Sequence, residues 1–112
     1  MQRFDLEERT LEFAKRIVHL AKSLKRDPVN DMLSGQVARS GTSPGANYRE
    51  ANETETKKDF NHKIMICRKE AKETEYWLIL IIEANPELKA RIDPLLQEAR
   101  ELVKIFASIG RS

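Results

Sequence analysis

Phe60, Ile64, Cys67, Ala71, Thr74, Leu78 and Ile81 follow one another at steps of four, three, four, three, four and three. That period places all seven on one face of an α-helix, so the stretch must bury a continuous seam against other helices. A strand, whose side chains alternate with period two, would scatter them over both of its faces. The helix is predicted to begin near Thr56 and to end at Ala84. Asn85-Pro86 both stops it and offers a cap and first position for the next segment.

A chain holding one such seam needs partner helices, and the sequence offers three. Leu6, Phe13, Ile17, Leu20 and Leu24 recur at helical spacing between about Asp5 and Leu24. Acidic Asp5, Glu7 and Glu8 at the start and basic Lys22, Lys25 and Arg26 at the end suit the helix dipole. Asp27-Pro28 then breaks that helix and starts a second, with Val29, Met32, Leu33 and Val37 on one stripe. The last helix carries Leu95, Leu96, Ala99, Leu102, Val103, Phe106 and Ile109, with Asp93-Pro94 as a second possible start and Gly110 as a stop. Between the second and third helices, Ser40 to Asn47 reads locally as a loop, because two glycines and a proline disfavour a helix interior. Small residues also let two helices approach closely, and Pro44 could kink rather than end a helix that resumes through Tyr48, Glu50 and Ala51. The expected fold is all-α, an antiparallel up-and-down four-helix bundle forming a single domain over residues 1–112. A chain of 112 residues is too short for two autonomous cores.

Several chemistries find no foothold. A bundle di-metal site needs carboxylates on two helices and a carboxylate-x-x-His pair on each of the others. Only Asp59 and His62 make such a pair, while His19 has Arg16 at the matching position, so no metal site is expected. Gly35, Gly41 and Gly45 supply neither a phosphate-loop nor a dinucleotide spacing. Cys67 falls on the heptad seam, where a thiol serves as a small hydrophobe. Glu50, Glu70 and Glu73 are expected to be solvated or paired one turn away. The reading is therefore a protein with no catalytic residue, no cofactor and no enzymatic activity. A lone cysteine and an amino terminus of Gln2, Arg3 and Asp5, in place of an apolar signal core, point to a reducing cytoplasm. The longest strongly apolar run, Trp77 to Ile82, falls far short of the ~20 residues of a membrane span.

The charge pattern is more informative than the total. The net charge of +2 generates little steering by itself. Yet Lys57, Lys58, Lys63, Arg68, Lys69 and Lys72 fall within residues 57–72, opposed only by Asp59 and Glu70. Such a patch could contact a phosphate backbone, and repetition in a ring would multiply it. The candidate nucleic-acid contacts are Lys57, Lys58, Lys63, Arg68 and Lys72, with Arg16, Lys22 and Arg26 as secondary ones.

Arg39-Ser40-Gly41-Thr42-Ser43-Pro44-Gly45-Ala46-Asn47-Tyr48-Arg49-Glu50-Ala51, then Lys58-Asp59-Phe60, then Arg68-Lys69-Glu70-Ala71-Lys72-Glu73-Thr74-Glu75-Tyr76-Trp77-Leu78, resemble a known bacterial family. These are the four-helix-bundle proteins first noticed as products of intervening sequences in 23S ribosomal RNA genes, a family that includes the accessory variability protein of diversity-generating retroelements. The motifs cover about residues 38–79. The resemblance implies a homopentameric barrel of bundles, no enzymatic activity and, for the retroelement branch, binding to RNA or DNA and to a reverse transcriptase. It also implies that Ser43 to Ala51 is helical, against the local loop reading. Pro44 and Tyr48 stand where the family usually has aliphatic residues. Asn47, Glu50, Lys69, Glu70 and Glu73 occupy the family's polar positions, where a buried network fixing helix register and the protomer interface is expected. Tyr76 and Trp77 suit an oligomer interface. The alternative to a nucleic-acid-binding accessory factor is a structural or protein-interaction module.

Overall fold

The computed structural model describes residues 3–110, with side chains from Asp5 onward; Gln2 and the side chain of Arg3 lie outside the described part. Four helices run in order: α1 (Arg3–Ser23), α2 (Pro28–Ala51), α3 (Lys57–Ala84) and α4 (Lys89–Gly110). A 3-10 turn over Pro86–Leu88 leads into α4. Sequence neighbours α1 and α2, α2 and α3, and α3 and α4 pack closely, whereas α1 and α4 touch at few points and α1 and α3 are diagonal. The fold is an all-α four-helix bundle about 45 Å long.

The helix starts follow the expected chemistry. Asp27 Oδ1 accepts from the Asn30 amide at 2.7 Å with Pro28 at the first position, and Thr56 Oγ1 accepts from the Asp59 amide at 3.1 Å. Both caps satisfy backbone donors that a helix leaves unpaired at its amino end. The expected second start at Asp93-Pro94 does not occur, because α4 already runs from Lys89 and carries Pro94 inside it. Proline removes one donor toward the carbonyl four residues earlier, that of Ala90, which belongs to the exposed first turn.

The α3 seam is buried as its period requires: Ile64, Cys67, Ala71, Thr74, Leu78 and Ile81 face the core, with Phe60 half-buried at its start. Leu6, Phe13, Ile17 and Leu20 join the same core from α1, with Leu24 just past its end. From α4 come Leu95, Leu96, Ala99, Leu102 and Phe106, together with Ile92, which precedes the stripe read from sequence. Thr10 completes the α1 seam, its hydroxyl donating to the Leu6 carbonyl at 2.8 Å.

Ser40 to Asn47 is helix, with Pro44 buried inside it. Packing decides this against local propensity. A Cβ on Gly41 would lie 2.7 Å from Ile17 Cγ1, and one on Gly45 would lie 3.2 Å from Thr10 Oγ1. The two bare backbones thus let α1 press against α2, as small residues four apart do at close helix crossings. Tyr48 is buried too, its ring 6.0 Å from that of Phe106. Two polar pairs tie α2 to α3 inside the bundle. Ser40 Oγ and Thr74 Oγ1 are 2.9 Å apart, and the Asn30 and Asn85 amides exchange hydrogen bonds at 3.0 and 2.9 Å.

Candidate nucleic-acid interface

Because α3 spends two adjacent heptad lines on the core, its opposite side is free to carry charge. Lys58, Met65, Lys72 and Ile79 stand seven residues apart along that side, and beside them run His62, Lys69, Tyr76 and Glu83. All eight are exposed. Arg68 flanks the two lines and is also exposed, whereas Lys57, exposed at the helix start, stands on the seam line of Ile64 and Ala71 beside Tyr48 and Ile109 and does not join this face. Met65, Arg68, Lys69 and Lys72 line a shallow depression of about 300 Å³. Lys57, Lys58, Arg68, Lys69 and Lys72 form no ion pair among the described residues. Lys63 differs: it is half-buried, and its Nζ lies 2.7 Å from Glu50 Oε1.

The secondary cations do not join this face. Arg16 lies on α1 toward α4, beside Arg91 and Ile92, while Lys22 and Arg26 flank a depression with Asp31 and Ser34. Arg26 Nε donates to Asp31 Oδ1 at 2.7 Å. Since α1 is diagonal to α3, the eight candidate contacts fall on separate surfaces.

The polar positions also part company. Asn47 Nδ2 bonds within its own helix, to the Ser43 carbonyl at 3.0 Å and Oγ at 2.9 Å. Glu50 is taken by Lys63. Glu70 and Glu73 both receive Arg39, whose Nη1 lies 3.2 Å from Glu70 Oε1 and whose Nη2 donates to Glu73. Lys69 is exposed and unbonded among the described residues, but its charge reaches Glu73. A single buried network over Asn47, Glu50, Lys69, Glu70 and Glu73 is therefore not what the chain builds. The reason is geometric: Glu70 and Glu73 flank the seam, one position away from Ala71 and Thr74, where side chains reach solvent, and Lys69 stands on the side opposite the core.

Trp77 Nε1 donates to Glu73 Oε2 at 2.9 Å, and this bond, followed by Arg39, holds the Glu73 carboxyl below the usual carboxylate range. The Tyr76 ring meets the Trp77 ring edge-on at 5.1 Å. Tyr76 is 57% exposed, whereas Trp77 packs partly against the core. Arg39 was missed from sequence, although it heads the Arg39-Ser40-Gly41 string and is the single cation between Arg26 and Arg49. The buried register pairs, Asn30 with Asn85 and Ser40 with Thr74, were also missed.

Little in this arrangement serves covalent chemistry. Burial pushes the Cys67 thiol up to about 12, and its Sγ donates weakly to the Pro44 carbonyl at 3.4 Å. A protonated thiol is a poor nucleophile. Among the described residues Asp59 and His62 gain no third metal ligand. None of the described helices is long and apolar enough to cross a membrane.

Residues 2–108 match the model of the 23S rRNA-intervening sequence protein family. The chain belongs to that family. The match extends the motifs of α2 and α3 to the outer helices. A crystal structure of a protein of unknown function from the S23 ribosomal protein family, from Bacteroides thetaiotaomicron, is 39% identical over 100% of both chains, with a TM-score of 0.87. None of the curated proteins compared with the chain matches it significantly. The family model and this crystal structure establish the bundle and its lineage, and the chemistry of the surface carries the functional reading.

Proposed function

We propose that this protein is a non-enzymatic homo-oligomer, a pentamer, that binds RNA or DNA through the outer face of α3. The observation that carries the reading is the run of Lys58, Arg68, Lys69 and Lys72, exposed along that face without an ion-pair partner among the described residues. Phosphate contacts need only positive charge and reach, so cations on successive turns can follow a backbone without reading bases. A ring of identical protomers would repeat each contact and raise avidity with no new chemistry. Met65, Tyr76 and Ile79, interleaved with those cations and 66%, 57% and 47% exposed, favour a second reading. In it the same face is a docking surface for protein, either another protomer or a polymerase such as a reverse transcriptase.

Light scattering and fluorescence anisotropy test the proposal together. The expected mass is that of a multiple of the chain, and a monomer at micromolar concentration refutes the oligomer. Binding to a mixed-sequence duplex and to structured RNA should weaken steeply with salt. Replacing Lys58, Lys69 and Lys72 by glutamate should lower affinity and reduce the salt slope by about three, one for each lost phosphate contact. No binding by the parent protein at low salt would leave the protein-interaction reading in its place.

A further inference from the structure

The seam between α1 and α4 carries an attractive charge pair at one level and a repulsive one at the next. Arg9 Nε and Nη2 donate to the two carboxylate oxygens of Glu98 at 2.6 and 2.9 Å. This fork-to-fork bond raises the Arg9 pKa. The two helices run antiparallel, so the next level of the same seam lies seven residues onward in α1 and seven residues back in α4. Those positions are Arg16 and Arg91. They line one cleft of about 240 Å³ together with His19, over a floor of Leu20, Ile92 and Leu95.

Two arginines and a histidine thus line one cleft where the previous level has a guanidinium facing a carboxylate. None of the three has an ion-pair partner among the described residues. Of the neighbouring acids, Glu12 pairs with Lys15 at 3.2 Å and Asp93 with Lys89 at 2.7 Å, while Glu87 forms no ion pair. The sparse packing of α1 on α4 leaves the gap open. Like charges facing each other across a groove are destabilising until an anion stands between them.

The geometry points to an oxyanion site at this level of the α1–α4 seam, with a phosphoryl group as its ligand. Guanidinium forks match phosphate oxygens two at a time, and a histidine N–H adds a further donor. The cleft is smaller than the ~300–1,000 Å³ of pockets for drug-sized ligands. It therefore suits a phosphoryl group bearing a small organic body on the apolar floor. Free phosphate, a mononucleotide and a strand backbone share this chemistry. The site stands apart from the α3 face, because α1 and α3 are diagonal, so either can fail without the other.

The test is thermal unfolding of the full chain with inorganic phosphate, with AMP and with a short oligothymidylate, each against sodium chloride at equal ionic strength. At ten times its Kd a ligand should raise the parent Tm by roughly 5 °C. The Arg16→Gln/Arg91→Gln protein should lose that response. Arg91→Glu, which repeats the Arg9–Glu98 pairing at the second level, should melt above the parent without added anion and ignore all three ligands. A response to phosphate or AMP identifies a small-molecule ligand; a response to the oligonucleotide alone identifies a strand backbone. The inference is overturned if the parent responds to none of the three, or if the double variant responds as the parent does. It is equally overturned if Arg91→Glu is no more stable than the parent.

Discussion

Gly41→Ala and Gly35→Ala are the same substitution in the same helix, and the structure expects opposite outcomes. At Gly35 nothing lies within 4 Å of an added Cβ. There the change brings only the helix propensity of alanine, a gain of about 1 kcal/mol. At Gly41 the added Cβ would meet Ile17 Cγ1, Cγ2 and Cδ1 at 2.7, 2.8 and 3.0 Å. Ile17 is fully buried and branched at Cβ, so its χ1 is fixed by its own helix and it cannot swing aside. Relief requires α1 and α2 to move apart, an overpacking cost of typically ~1–3 kcal/mol before the propensity gain is subtracted. The two variants should therefore differ by about 1–3 kcal/mol, Gly35→Ala above the parent and Gly41→Ala at or below it. Urea unfolding at one fixed protein concentration reads the difference as a shift in midpoint at unchanged slope. The Ile17→Ala/Gly41→Ala double variant should be more stable than the sum of its parts predicts, because removing Ile17 beyond Cβ removes the clash. Equal stability of Gly35→Ala and Gly41→Ala would refute the close approach of α1 and α2 as the reason that α2 contains glycine there.

The reciprocal amides of Asn30 and Asn85 are buried and also bond the Lys25 and Ile81 carbonyls at 2.9 Å. Asn85→Ala should lower stability by ~1–3 kcal/mol by orphaning part of Asn30, and adding Asn30→Ala should do less than the same again; strictly additive losses in thermal unfolding would contradict a shared pair. Glu73 has its pKa lowered by Trp77 and Arg39, so the stability it lends is present above the ordinary glutamate pKa of about 4.3 and is lost as pH falls through its lower folded value. Glu73→Ala should flatten that acid limb and cost about 1 kcal/mol at pH 7, as befits a partly exposed pair; an unchanged acid profile would rule the pair out as a stabilising element.

What the sequence made legible follows from the range of the forces involved. The heptad of α3, the Asp27-Pro28 start and the break at Asn85-Pro86 are local signals, and α2 begins and α3 begins and ends within a residue of where they place them. By contrast, α4 starts only at Lys89, after a 3-10 turn that Asn85 does not cap through its side chain. Ser40 to Asn47 misled for the same reason. Its glycines and proline disfavour helix locally, and the compensation lies in Ile17 and Thr10, more than twenty residues away in α1. The family motifs overrode the local reading, but they did not reveal the partner that makes the glycines necessary. Charge was legible only as a list. That Lys63 is spent on Glu50, Arg39 on Glu70 and Glu73, and Arg9 on Glu98 depends on helix register across pairs separated by 13 to 89 residues. Register is fixed in turn by the buried pairs Asn30–Asn85 and Ser40–Thr74, which pin α2 against α3 at two levels. Once it is fixed, the cations left without an ion pair include a strip on α3 and the arginines Arg16 and Arg91 that line one cleft between α1 and α4. A surface charge in this bundle acquires its meaning from which core residues lie beneath it, so the search for ligands has to begin from the seam and work outward.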